Sequence, residues 1–111
     1  MDSPQDFLPL KPADFHVLLA VTDGPRHGYG IMKDVERESA GEVRLEIGSL
    51  YRLLDRLLEQ GLLEDFAQAD SDRRRYFRIT RLGRRVLRSE ARRLEGLVAL
   101  MRARNLLPER E

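Results

Sequence analysis

Arg73, Arg74 and Arg75 stand side by side, followed directly by Tyr76, Phe77 and a fourth arginine, Arg78. Guanidinium groups held that close repel one another unless an anion lies among them, and phosphate is an anion that their planar forks fit. A run of charge is usually only a solvated surface, so its meaning depends on what accompanies it. Upstream lie Ser49, Tyr51 and Arg52. A hydroxyl and a guanidinium three residues apart share one face of a helix. At the start of such a helix the hydroxyl and the free backbone amides can hold a phosphate, while Arg52 can pair with O6 and N7 of guanine and Tyr51 can turn its phenol toward the nucleic-acid backbone.

Other chemistry finds little material. His16 and His27 fall on separate expected elements, with no cysteine or carboxylate at a metal-ligand spacing. His16 reads as a helix-surface residue and His27 as a hydrogen-bond partner for a helix end. Asp70 and Asp72 flank Ser71 and read as turn formers. The glycines from Gly24 to Gly30 match neither a phosphate-binding loop nor a dinucleotide fingerprint, and suit a turn and a close helix crossing. Three Tyr, four Phe and no Trp supply no stacking platform for single strands. No enzyme activity, metal or cofactor is expected.

The elements that must position these groups follow from composition and periodicity. A chain of 111 residues that is 41% hydrophobic supports one core. Charged residues make up 35% with a net charge of +1, so a basic surface must arise from local clustering. The first 25 residues hold four Asp, one Lys and no Arg, whereas the arginine-rich stretch from Arg73 to Arg104 has only Glu90 and Glu95 as carboxylates. Without cysteine there is no disulfide or thiolate site. With no apolar run of membrane length and no signal-peptide pattern, the expected location is cytoplasmic, with no membrane partner.

Residues 1–10 read as an N-terminal arm that orders on contact. A helix follows from Pro12 with Phe15, Leu18, Leu19 and Thr22 inward, and a second from Gly28 to Glu38 with Ile31, Met32 and Val35 inward and Asp34 among the outward residues. Val43, Arg44 and Leu45 alternate briefly and could add a strand. A third helix over residues 47–60 turns Leu50, Leu53, Leu54, Leu57 and Leu58 inward, with Arg52, Asp55, Arg56 and Glu59 opposite and Gly61 ending it. Residues 62–68 and 74–79 read as the strands of a hairpin wing, joined by a polar turn. Thr80 then caps a long helix carrying Leu87, Ala91, Leu94, Val98 and Met101 at alternating spacings of four and three. Leu97 and Leu100 widen that seam beyond what a lone helix needs, and a second copy of the chain is its simplest cover. The expectation is a mainly α fold with a small β-wing: a winged helix-turn-helix over residues 11–79 plus a long C-terminal dimerisation helix over residues 80–107.

Residues 23–31 (DGPRHGYGI), 48–54 (GSLYRLL), 61–64 (GLLE) and 73–80 (RRRYFRIT) together resemble the PadR family of transcriptional regulators, in order and in spacing. The resemblance covers roughly residues 8–105 and fits the small subfamily with a single C-terminal helix. It implies a homodimer that binds a palindromic operator in double-stranded DNA, commonly as a repressor, through Tyr29, Ser49, Tyr51, Arg52 and Arg73 to Arg75; Arg56 joins them as an outward cation of the third helix. Glu46 and Ile47 stand where the family usually has a small or hydroxyl residue and a proline, and a glutamate there favours the helix dipole but repels phosphate. Some family members release DNA when an aromatic or drug-like molecule enters a pore at the dimer centre. Phe7, Phe15, Leu97 and Met101 suit such a pore for a small hydrophobic effector, or equally an ordinary dimer core. The competing reading is a winged-helix protein-interaction module, favoured if acidic residues such as Asp55, Glu59 and Glu64 interrupt the basic face.

Overall fold

The computed structural model describes residues 3–67 and 74–108. A short 3-10 helix at Pro4–Phe7 precedes α1 (Pro12–Ala20), β1 (Arg26–His27), α2 (Gly28–Glu38), α3 (Ile47–Glu59), β2 (Leu63–Phe66), β3 (Tyr76–Ile79) and α4 (Arg81–Ala103). The strands form an antiparallel sheet in the order β1-β3-β2. Leu63 lies opposite Ile79 and Glu64 opposite Arg78, so the first pair closes the core and the second faces water.

Val17 and Leu18 of α1 and Val21 just after it meet Ile31 and Val35 of α2, Leu50, Leu54 and Leu57 of α3, Phe77 of β3 and Val86 of α4 in one buried cluster. The first helix is rotated from its expected setting. Val17 and Val21 are inside, Phe15 and Thr22 are half-buried, and Leu19 is exposed. Asp14 takes the inward position that apolar periodicity could not assign to it.

Two further expectations are corrected. Residues 43–45 form no strand, because the Val43 amide donates to the Ser39 hydroxyl at 2.9 Å and ties this segment to the end of α2. The third strand is Arg26–His27, paired with β3 at Phe77 and Tyr76. Asp34 is buried rather than outward, held by Arg26 at 2.5 Å and Arg37 at 2.7 Å, so it joins β1 to α2.

The junction between sheet and last helix rests on Thr80. Its hydroxyl donates to the Gly61 carbonyl at 2.6 Å and accepts from the Gly83 amide at 2.9 Å, capping α4 while binding the end of α3. Gly61 has φ of +77°, the left-handed turn expected of it. Gly83 is required because a side chain there would collide with the Leu62 carbonyl oxygen.

The N-terminal residues pack on α4. Buried Glu90 of α4 accepts the Leu10 amide at 3.0 Å and is gripped by Arg93 at 2.6 and 3.0 Å. The hydrogen bonds from Arg93 hold its carboxyl below the usual carboxylate range; burial opposes them, and the Leu10 amide and the Arg93 charge reinforce them. Such a group binds fewer protons when native than when unfolded. Its stabilisation is therefore complete above the unfolded value of 4.5 and fades as acid protonates the native carboxylate. Glu90→Gln should lower the unfolding free energy at neutral pH by roughly 1.5–3 kcal/mol. Denaturant melts should show that gap closing as the pH falls from about 5 toward 3; a gap independent of pH would contradict this role.

Candidate nucleic-acid interface

The exposed start of α3 is set by what the helix buries. With Leu50, Leu53, Leu54 and Leu57 inward, Ile47, Gly48 and Arg52 face solvent. Glu46 occupies the N-cap position but makes no side-chain capping bond, and the first intrahelical bond runs from the Leu50 amide to the Glu46 carbonyl at 2.8 Å. The amides of residues 47–49 thus open outward at the positive end of the helix dipole. Arg52 lies back along this end, donating to the Ser49 hydroxyl at 3.2 Å. Among the described residues Arg52 has no carboxylate partner. Ile47, 56% exposed at the first helical position, adds an apolar side chain to the polar ones that the sequence points to; its exposure is evident only in the fold.

Tyr51 differs from its expected setting. It is half-buried and lies against the first turn of α2: a Cβ added at Gly28 would sit 2.5 Å from its phenolic oxygen. The glycine at residue 28 is what lets α2 and α3 approach. Tyr29, next to it, is 53% exposed and carries the Lys33 ammonium 5.4 Å from its ring centroid. His27 caps α2 by accepting the Gly30 amide at Nδ1, 3.0 Å away, as expected of a histidine before a helix.

The wing arginines diverge. Arg74 Nη1 lies 3.0 Å from His27 Nε2, next to the start of α2. Arg75 turns the other way, donating to Asp65 at 2.9 Å with its guanidinium 5.0 Å from the Phe77 ring centroid. Arg78 pairs with Glu64 at 2.7 Å and lies over Phe66. The expectation that this run needs an external anion is corrected for Arg75 and Arg78, whose repulsion is relieved by carboxylates of β2. These pairs are exposed, and such pairs are worth only about 0–1 kcal/mol, so a phosphate can replace the carboxylate at small cost. Arg73, Asp70 and Asp72 lie outside the described residues.

Arg56 is also corrected. Rather than facing outward freely, it forms a two-pronged pair with buried Asp14 of α1, both bonds at 2.9 Å. That hydrogen bond holds its guanidinium more firmly protonated, against desolvation. Periodicity alone could not reveal the pair, since its members are 42 positions apart.

Among the described residues no group of His, Cys, Asp or Glu is placed to hold a metal ion. No helix among them is long and apolar enough to cross a membrane.

Helices α1 to α3, a three-stranded sheet with β2 and β3 following the third helix, and a long closing helix define a winged helix-turn-helix. The chain belongs to the transcriptional regulator PadR-like family, whose profile matches residues 17–89. It is 40% identical over 79 residues to an uncharacterized 37.1 kDa protein of transposon TN4556 from Streptomyces fradiae; the match takes in 71% of this chain but only 22% of that protein. Its fold is shared with a PadR family transcription regulator from Clostridium difficile R20291, at a TM-score of 0.71 and 19% identity over 84% of this chain and 97% of the other. It is shared also with Bacillus subtilis PadR in complex with operator DNA, at 0.63 and 17% identity over 73% of this chain and 46% of that one.

The Gly28–Tyr51 contact can be tested directly. Gly28→Ala should destabilise the fold by roughly 1–3 kcal/mol through overpacking. In a double-mutant cycle with Tyr51→Ala, the two costs should fall well short of additive, because the second change removes the obstacle. Additive costs in denaturant melts would show that the two residues do not constrain each other.

Proposed function

We propose that the chain is a sequence-specific DNA-binding repressor that acts as a homodimer, with α3 in the major groove and the wing arginines on flanking phosphates. The observation that carries this reading is the state of the α3 start. Open amides, the Ser49 hydroxyl, the exposed Ile47 side chain and an arginine without a carboxylate partner converge there. Arg52 reads guanine, Ile47 meets a thymine methyl, and Ser49 with the amides holds a phosphate. Tyr29, Arg74, Arg75 and, outside the described residues, Arg73 supply backbone contacts; Tyr51 acts mainly by seating α3 on α2. The operator complex of the Bacillus subtilis relative supports the assignment.

Dimerisation falls to α4. Leu97, Leu100 and Met101 are 43%, 51% and 36% exposed, Ala91 is exposed, and Leu94 and Val98 are half-buried. An apolar cleft of about 240 Å³ between α1 and α4, lined by Leu19, Leu87 and Ala91, adjoins them. A partner's α4 covers this face, and a small hydrophobic effector at the dimer centre has the same apolar material to bind. Of the expected pore residues, Leu97 and Met101 are exposed, whereas Phe7 and Phe15 already pack against the protomer's own core. The internal pairing of Arg75 and Arg78 favours a second reading, a protein-contact module whose mixed charges meet a partner.

Binding titrations across a salt series separate the two. Arg74→Ala should weaken all duplexes alike and reduce the slope of log affinity against log salt by about 1.8, two contacts of about 0.9 each in a dimer. Arg52→Ala should cost about 1–3 kcal/mol per half-site on the operator while leaving unrelated DNA little affected. Leu94→Asp should give monomer or unfolded chain in equilibrium sedimentation, since a buried unpaired carboxylate is duplicated by symmetry. A wild type without salt-dependent affinity for any duplex would favour the protein-contact reading.

A further inference from the structure

We propose that the cleft between α1 and α3 seats a phosphate of the DNA backbone, with Lys11 as its outer contact. The proposal rests on the DNA-binding reading above and adds to it a contact from the side of α1. The cleft is open, has a volume of about 330 Å³, and includes Lys11, Asp14, Leu45, Ser49, Arg52 and Arg56 among its walls. Ser49 and Arg52 belong to the α3 start, so a duplex lying against them also passes over this cleft.

Its charge balance favours an anion. Lys11, Arg52 and Arg56 bring three positive charges against the single carboxylate of Asp14. Both oxygens of that carboxylate are taken by Arg56 at 2.9 Å, which fixes the guanidinium at the cleft wall. A guanidinium has five N–H donors, so Arg56 keeps three for another acceptor. Lys11 occupies the N-cap position of α1 without capping it, is exposed, and has no carboxylate partner among the described residues. It is also the one basic residue among the first 25, which hold four Asp. Glu46, the carboxylate nearest in sequence to the α3 start, is not part of the cleft wall. The Ser49 hydroxyl, the Arg56 guanidinium and the Lys11 ammonium around one concavity all present donors to a phosphodiester, while Arg52 adds positive charge and remains available for a base edge.

Lys11 is the residue to change, because removing Arg56 would leave Asp14 buried and unpaired and so confuse binding with stability. Phosphate contacts are independent of sequence, so a random-sequence duplex suffices as probe. Lys11→Gln should reduce the slope of log affinity against log salt by about 1.8 in a dimer with two clefts, and Lys11→Arg should restore it. Arg92→Gln, an exposed change on α4, should leave the slope unaltered, and all variants should keep the parent circular dichroism spectrum. A Lys11→Gln slope equal to that of the wild type overturns the cleft while leaving the DNA reading intact. An equal fall in Lys11→Gln and Arg92→Gln also overturns it, since net charge alone would then be responsible. A wild type that binds no duplex removes the underlying reading and the cleft with it.

Discussion

The architecture depends on the burial of one leucine stripe. Leu50, Leu53, Leu54 and Leu57 of α3 are all but sealed from solvent by α1, α2, the sheet and α4, each stabilising the fold by roughly 1.5–3 kcal/mol relative to exposure. A helix has no rotational freedom once four such positions are committed. Residues 47, 48 and 52 must then face out, and rotating them inward would expose the stripe. The surface offered at the start of α3 is therefore set by the core rather than by the exposed residues themselves.

Three buried carboxylates reinforce that setting, each joined to arginine and each tying the chain across a boundary. Asp14 fixes α1 to α3 through Arg56, Asp34 fixes β1 to α2 through Arg26, and Glu90 fixes the N-terminal segment to α4 through the Leu10 amide, with Arg93 as its ion-pair partner. Buried pairs of this kind add little net stability over apolar packing but penalise wrong registers, because a misplaced partner leaves a charge alone. The exposed wing pairs behave differently. Arg75 and Arg78 rest on carboxylates that water screens well, so their internal partners hold them in place without excluding a stronger anion.

Most of this fold was legible in the sequence, for reasons that differ by element. The bounds of α2 and α3 followed from apolar spacing and from Gly61, and the capping of α4 from Thr80. The strand at Arg26–His27 could not be read, since two residues carry no periodicity and their pairing comes from the free edge of β3. The burial of Asp14, Asp34 and Glu90 is not legible in the sequence, where Asp34 falls on the outward face of its helix, because it depends on partners brought together by folding; for Asp14 the arginine is 42 positions away. Ser49 and Arg52 emerge together where the pattern placed them, whereas Arg56 and Tyr51 were drawn inward by Asp14 and Gly28.

Backbone amide chemical shifts, followed by NMR as a duplex selected from a random library is added, test the proposed interface most directly. The largest changes should fall on the amides of residues 47–52 and on Arg74 and Arg75, with those of α4 beyond Leu94 left nearly unmoved. Changes centred on α4, or on Glu59 and Glu64 with the start of α3 silent, would contradict it.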